Sequence, residues 1–539
     1  LQMFRPLLLF VLLPSTVSHW TDELDLPPRL LEYQIRNRKD LKRRCMADPE
    51  CPFDNGTLNN GRCWGHEPHC QLNESYSADL LSCNLPSEKT KKWSKEQLQQ
   101  RFFEQGDWRY VHGEGRSNMH EICISKDQDR SSLTCSDHLA YCTARNIFFD
   151  FANLRAQTSS RYRDDVIREG QAGGNCEEFR MQILKDHIDR QSYLQSWGAE
   201  LKHFRPVSDF VVDDDHCDVI FDRPTIVIKL DAAINMFHHF CDFINLYASQ
   251  HMNGTNFDTD VDVLWWDTAP KGFVDAYFGT TWSVFSRNKP VELIALDGKK
   301  VCFRNALLPL LARQRFGMYY NMPVTGGCQG SGLVHAFAHH ILHRLRVPQH
   351  GPVLNKVRVT ILSRSTAHRK ILNEKELLAR LHAMEDVEAR IVDYNGRVPF
   401  LSQLESTHNS DVFIGMHGSG LTHLLFLPDW AAVFEIYNCD DENCYYDLAR
   451  LRGVRYKTWS NMSLVKADGE GRHPSLGTPH AKFTSYTFDG EEFERIVRQL
   501  VEYVRRHPLF VKEQRRLRRE EKMRETNERG TVGGTVGGT

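Results

Sequence analysis

The sequence predicts an α/β protein of two successive strand–helix units facing a cleft, preceded by a cysteine-rich segment. Three observations carry this reading. Short apolar, β-branched runs recur at 225–230, 261–266, 357–362, 387–392, 412–414 and 432–437. Helical stretches at 332–345 and 374–383 lie between them, and this alternation predicts parallel sheets covered on both faces. Eight of the 15 cysteines fall within the first 142 residues, ahead of that alternation.

Taken in order, residues 1–18 read as an export signal. Arg5 precedes an apolar run from Leu7 to Leu13, followed by Pro14 and small residues up to Ser18. Residues 19–145 read as a helix-poor, disulfide-stapled region with a Lys-rich insert at 89–95. Its cysteine spacings are irregular and contain no CxxC pair, which favours disulfides over a zinc site. Residues 146–350 form the first α/β half and 356–510 the second. The stretch 349–355, with Gly351, Pro352 and Asn355, joins them. Residues 511–539 are a charged tail ending in a low-complexity GTVGGTVGGT. Sequons at Asn55, Asn73, Asn253 and Asn461 fit a secretory chain, and no later segment offers about 18 uninterrupted apolar residues for a membrane span.

Charge narrows the function. With 68 Lys and Arg against 70 Asp and Glu, the net charge is -2. That balance, without a basic stripe interleaved with aromatics, excludes a protein built to hold nucleic acid through its phosphates.

The most informative stretch runs from Ser410 to Pro428. A strand at 412–414 leads into Gly415, His417, Gly418, Ser419 and Gly420, then into an apolar helix start. Glycines at such a turn admit a ligand close to the backbone, and the free N–H groups and dipole of the next helix suit a diphosphate. His417 and Thr422 offer side-chain donors. The spelling is not that of a hydrolase elbow, because Ser419 lies four residues after Gly415 rather than two. A second strand end carries Arg364 and, five residues on, Arg369, forked cations matched to a phosphate pair. In the run Asn235-Met-Phe-His-His-Phe-Cys-Asp242, a helix puts His238 and Asp242 at i and i+4, with Asn235 a turn earlier. Glu435, at the end of the strand after the glycine turn, is placed for ribose hydroxyls. Asp260-Val-Asp262 spells a metal-holding D-x-D, but at the start of a strand, the wrong end for a ligand. Asp213–Asp215 reads as a solvated loop.

The segment His417-Gly-Ser-Gly-Leu-Thr422 resembles the H-G-[AS]-G-L-T block of glycosyltransferase family 61. The resemblance continues through RVTILSRSTAHRKILNE, FHHFCDFINLYASQH and the cysteine-rich start, from about residue 19 to 510. It implies a GT-B-like fold of two Rossmann-like halves, with the nucleotide held mostly by the second. It further implies inverting transfer of N-acetylglucosamine from UDP-GlcNAc to Ser or Thr of folded EGF-like domains. In that scheme Gly418, Ser419, Gly420, Leu421 and Thr422 cradle UDP with His417, Arg364, Arg369, Glu435 and Asn235. Asp242, ahead of His238, is the expected base. Where relatives carry a D-Y-D triplet after a tryptophan, this chain reads Trp282-Ser-Val-Phe-Ser-Arg-Asn288, so no essential metal is expected and a divalent cation stays an open question. The resemblance implies residence in the endoplasmic reticulum lumen. The C-terminal GGT is not a KDEL-like signal, which leaves secretion open. Transfer of another sugar or to O-mannose, and a non-catalytic UDP- or glycoprotein-binding role, are the competing expectations.

Overall fold

The computed structural model describes residues 19–84, 92–113, 118–188, 192–252, 257–269, 272, 275–314 and 317–532. The expected export signal, the sequon at Asn253, the start of the Lys-rich insert and the end of the Gly-rich tail lie outside these residues. A first compact unit ends at Gly61. Its helices, Trp20–Glu23, Pro28–Asn37, Lys39–Ala47 and Asn55–Asn60, enclose Trp20, Ile35, Leu41, Cys45 and Leu58. Cys45 and Cys51 are bridged, and Asp48 meets the His19 and Trp20 side chains at 2.7 Å each.

The second unit begins at Arg62. Its early helices, Lys95–Gly106 and Trp108–His112, bury Leu98, Phe102, Phe103 and Trp108. The region 19–145 is therefore helical, not helix-poor. Leu98 and Phe102 at i and i+4 are an amphipathic signal that the irregular cysteine spacing had obscured. Nor does a structural boundary fall at residue 145, because the strand Cys142–Asp150 runs through it.

Among the described residues the larger sheet has eleven strands. Val291–Glu292, Asp262–Trp265, Thr225–Ile228 and Lys300–Leu308 run parallel, as the alternation predicts. Beyond Lys300–Leu308 the sheet continues antiparallel through Cys142–Asp150, Ser132–Cys135 and His120–Ile124. The sheet is mixed rather than purely parallel, because hairpin connections link its later strands where the parallel ones need helical crossovers. The end of the cysteine-rich segment, from His120 onward, is thus part of this sheet, tied in by Cys123–Cys176 and Cys135–Cys142.

The smaller sheet has five strands, all parallel, in the order Val387–Asp393, Val357–Ser363, Val412–Gly415, Ala432–Glu435 and Arg455–Thr458. Numbered along the chain, that order is 2-1-3-4-5. Strand direction of progression reverses between Val357–Ser363 and Val412–Gly415, and ligands in open parallel sheets bind outside the carboxyl ends at such a point. Residues 349–355 form an irregular connection between the halves. They do not leave the halves separate: Phe240, in the helix Met236–Met252, packs against Phe400 and Phe426 at 5.8 and 5.5 Å. The charged tail forms the helix Pro508–Val532. Asn55, Asn73 and Asn461 are all exposed.

Candidate functional site

At the reversal point, the buried strand Val357–Ser363 ends at Arg364, and the buried strand Val412–Gly415 ends just before His417 and Gly418. Gly418 has φ of +148°. A Cβ built there would lie 2.4 Å from Arg364 Nη1 and 3.2 Å from Arg369 Nη1, so both guanidinium groups converge on the space only glycine leaves open. Arg369 donates from Nη1 to the His417 carbonyl at 3.0 Å, and Arg364 donates from Nε to Thr366 Oγ1 at 3.2 Å. Among the described residues no carboxylate forms an ion pair with either. Burial, then the Arg369 charge, pushes the Arg364 guanidinium below its usual range. Arg369 Nε is buried without a partner. Two half-buried cations held side by side with no carboxylate require an anion to satisfy them.

The wall behind this pair is a relay. His417, 5% exposed, lies with Nδ1 2.9 Å from Glu435 Oε1. Glu435 is fully buried and accepts from the Tyr456 hydroxyl through its other oxygen, at 2.5 Å. The carboxylate expected on ribose hydroxyls therefore faces inward and reaches a ligand only through His417. Leu421 and Thr422 are likewise buried, Leu421 against Gly415 and Thr422 beside Tyr319 and Tyr445. The segment after the turn is a 3-10 helix, Ser419–Phe426.

A cavity of about 330 Å³ opens beside the turn, within the range of small-ligand sites. Arg364, Ser419 and Gly420 line one side, and Ile234, Met236 and Tyr277 come from the first half. His423 also lines it, 2% exposed, with Nδ1 2.9 Å from the Gly420 carbonyl. Burial holds its imidazole down at about 4, hence neutral. Sequence reading passed over His423, although it stands six residues after His417 in the same block.

The third group, on the helix Met236–Met252, is arranged differently from its sequence spacing. Asp242 does not pair with His238. It contacts His239 Nδ1 at 2.9 Å and accepts the Asp231 backbone N–H at 3.1 Å, and it is 1% exposed. His239 is fully buried between Asp242 and Asp275, the latter 2.8 Å from Nε2. Burial lowers the His239 pKa, but the two carboxylates outweigh it and hold it at about 9. Burial raises Asp242 to about 6, against the opposing pull of His239. His238 instead lies 3.3 Å from Asp231 and keeps 23% of its side chain exposed. Asn235 caps the helix, its side chain accepting from the Phe237 N–H at 3.1 Å. Of the predicted donor residues, Arg364, Arg369, His417, Gly418, Ser419 and Gly420 come together. Asn235, His238 and Asp242 stand on the facing helix. Asp231, Arg313, His239 and Tyr456 were missed, because the pairs Arg313–Asp231, His239–Asp275 and Tyr456–Glu435 join residues distant in sequence.

The acidic triplets are engaged elsewhere. Asp260 pairs with Arg287 at 2.7 Å and Asp262 with Arg223 at 2.8 Å, while Asp213 lies 2.6 Å from His216.

Residues 19–434 match the family model described as Glycosyltransferase 61. The chain is 44% identical over 488 residues to a Bos taurus protein named EGF domain-specific O-linked N-acetylglucosamine transferase, covering 90% of each chain. It is 44% identical to the Mus musculus protein of that name over 92% of each chain, and 43% identical to the Drosophila melanogaster one, covering 91% of this chain and 93% of that protein.

Proposed function

Because the chain belongs to the glycosyltransferase 61 family, we propose that it transfers N-acetylglucosamine from UDP-GlcNAc, with inversion, to Ser or Thr of folded EGF-like domains. The observation that carries the donor side is the Arg364–Arg369 pair without a carboxylate at the sheet's reversal point. As the sugar departs, negative charge builds on UDP, and preorganised guanidinium groups stabilise it most in the transition state. Ser419 and Gly420 line the cavity with Arg364, and His417, held by Glu435, stands at the start of the same turn. Residues 356–510 then form the UDP-sugar half and 146–350 the acceptor half of a GT-B-like enzyme. The acceptor class rests on the names of relatives alike over nine-tenths of the chain. With two cations already supplied by the protein, the scheme needs no divalent metal.

The six disulfides belong to an oxidising compartment. No described helix is long and apolar enough to cross a membrane. We place the enzyme in the endoplasmic reticulum lumen, where EGF-like acceptors acquire their own disulfides.

The test is incubation of the purified chain with UDP-GlcNAc and a folded EGF repeat, followed by intact mass spectrometry. One added HexNAc that disappears with Arg364→Ala supports donor, acceptor and clamp together. Tight UDP binding with no added mass refutes the transfer, and addition from another UDP-sugar in competition refutes the donor.

A further inference from the structure

We propose that His238 is the catalytic base, that Asp231 is its positioning residue, and that Arg313 fixes Asp231. This rests on the transferase reading above. His238 stands in the first turn of Met236–Met252, two residues past Met236 in the cavity wall. Next to it, the Phe237 ring packs 5.6 Å from Tyr445, which packs 5.2 Å from His417, so this turn faces the donor site. His238 Nδ1 is itself buried and lies 3.3 Å from Asp231 Oδ2, outside hydrogen-bond geometry but within ion-pair reach once the ring is protonated, and the side chain keeps 23% exposure. The open edge is therefore the other one, which carries Nε2. An imidazole with a carboxylate beside one nitrogen, ready to pair with the ring as it takes up a proton, and the other nitrogen outward is an arrangement suited to general-base catalysis.

Asp231 is a rigid anchor. It is 1% exposed and takes Arg313 in a two-pronged pair at 2.9 and 2.8 Å, while its carbonyl accepts from Arg161 and Tyr162. The groups facing His238 are Asp231 and Arg313 on one side and the Tyr320 ring, 5.3 Å away, on the other; Asp242 lies behind Asp231. Arg313 neutralises Asp231, so the carboxylate orients the ring without adding net negative charge where UDP must bind. Asp242 and His239 are excluded by access: at 1% and 0% exposure, bonded to each other, neither touches an acceptor.

In the reaction the acceptor Oγ forms a bond to sugar C1 as the bond from C1 to the β-phosphate oxygen breaks. The Oγ proton passes to His238 Nε2, and the electron pair of the broken bond leaves on UDP beside Arg364 and Arg369.

The experiment measures kcat, KM for a folded EGF repeat, UDP affinity and pH–rate profile for the wild-type chain, His238→Asn, His238→Gln and Asp231→Asn. Both His238 variants lose at least about 100-fold in kcat while UDP affinity stays within about twofold, the latter showing that the site is folded. Asp231→Asn loses less in kcat, changes KM little and moves the acidic limb of the profile to lower pH, a shift that a merely structural role would not produce. A folded His238 variant that keeps wild-type kcat overturns the base, and an unmoved acidic limb in Asp231→Asn overturns the positioning role. A wild-type chain that adds no HexNAc to the repeat overturns the transferase reading first, and the base with it.

Discussion

Tyr456 sets its hydroxyl 2.5 Å from Glu435 Oε2, on the side of the carboxylate away from His417. Burial and the adjoining carboxylate push the phenol pKa up, so it stays a donor. The three residues form a line from the sheet interior to the glycine turn, and the line fixes the orientation of the His417 ring, whose Nε2 lies 3.6 Å from Asp441. Glu435→Gln removes a charge-assisted bond in a buried setting, worth about 1.5–3 kcal/mol. The expected result is UDP affinity about tenfold weaker, read by calorimetry, with His417→Ala giving a similar loss and the double variant little more.

Gly418→Ala probes the convergence of the two arginines. A methyl there meets Arg364 Nη1 at 2.4 Å, at a φ that side chains rarely adopt. The backbone strain costs about 1–3 kcal/mol, and the displaced guanidinium loses the diphosphate. Thermal denaturation and UDP titration should both report a loss, whereas Arg364→Ala should lower UDP affinity with little change in melting temperature.

The pair Lys229–Glu200 tests the core of the first half. Lys229 is fully buried, donates to Glu200 at 2.8 Å and to the Tyr193 and Ser196 carbonyls at 3.1 Å each. Lys229→Met strands a buried carboxylate, and about 3–5 kcal/mol of stability goes with it. Replacing both, as Lys229→Met with Glu200→Leu, should recover much of that loss in urea titrations.

Stability should fall as pH rises from neutral. His239 holds its proton up to about 9 in the folded chain, above the ordinary histidine value, so its contribution is complete below about 6.5 and lost on passing 9. Asp242, held at about 6, acts in the same direction over a lower window, losing stability from the ordinary carboxylate range up through 6. Urea denaturation at pH 6.5 and 9 should differ by a few kcal/mol, and His239→Gln should flatten the difference. If Asp242 were the base, Asp242→Asn would abolish turnover in the folded fraction; we expect turnover there to persist.

Chelation checks the metal-free scheme. EDTA should leave the transfer rate unchanged. His417, Asp441 and Cys444 do hold ligand atoms within 4.8 Å of one another, but Lys482 sits 2.8 Å from Asp441 and opposes a cation. A rate that collapses with EDTA and returns with manganese would move the argument to that cluster.

Much of this was legible in sequence because it is local. The runs at 357–362, 387–392, 412–414 and 432–437 became strands, and 332–345 and 374–383 became helices; burial on both faces leaves continuous apolar stretches in the three central strands, while the edge strand Val387–Asp393 and the helix Glu374–His382 show their type through spaced apolar residues. The glycine turn and Arg364 share that property, each lying at the end of such a run. The base region was not legible in the same way. Spacing alone put Asp242 with His238, but the rotation of the helix hands Asp242 to His239 and leaves His238 to Asp231, from the strand end before the helix. Helix-poor was the wrong reading of 19–145 because cysteine spacing carries no secondary-structure information, while Leu98 and Phe102 do.

The bridge between Cys83 and Cys328 joins residues 245 apart and pins the strand Ser82–Cys83 against Cys328–Gln329. As the chain emerges from the ribosome, Cys83 meets seven other cysteines before its partner is made, from Cys123 to Cys302. Six of those seven pair among themselves, in loops nested inside the long one: Cys123–Cys176, Cys135–Cys142 and Cys217–Cys302. Oxidation in order of appearance would give Cys83 the wrong mate. Native pairing thus requires either that Cys83 stay reduced until translation has passed Cys328 or that a mispaired Cys83 be released by thiol exchange.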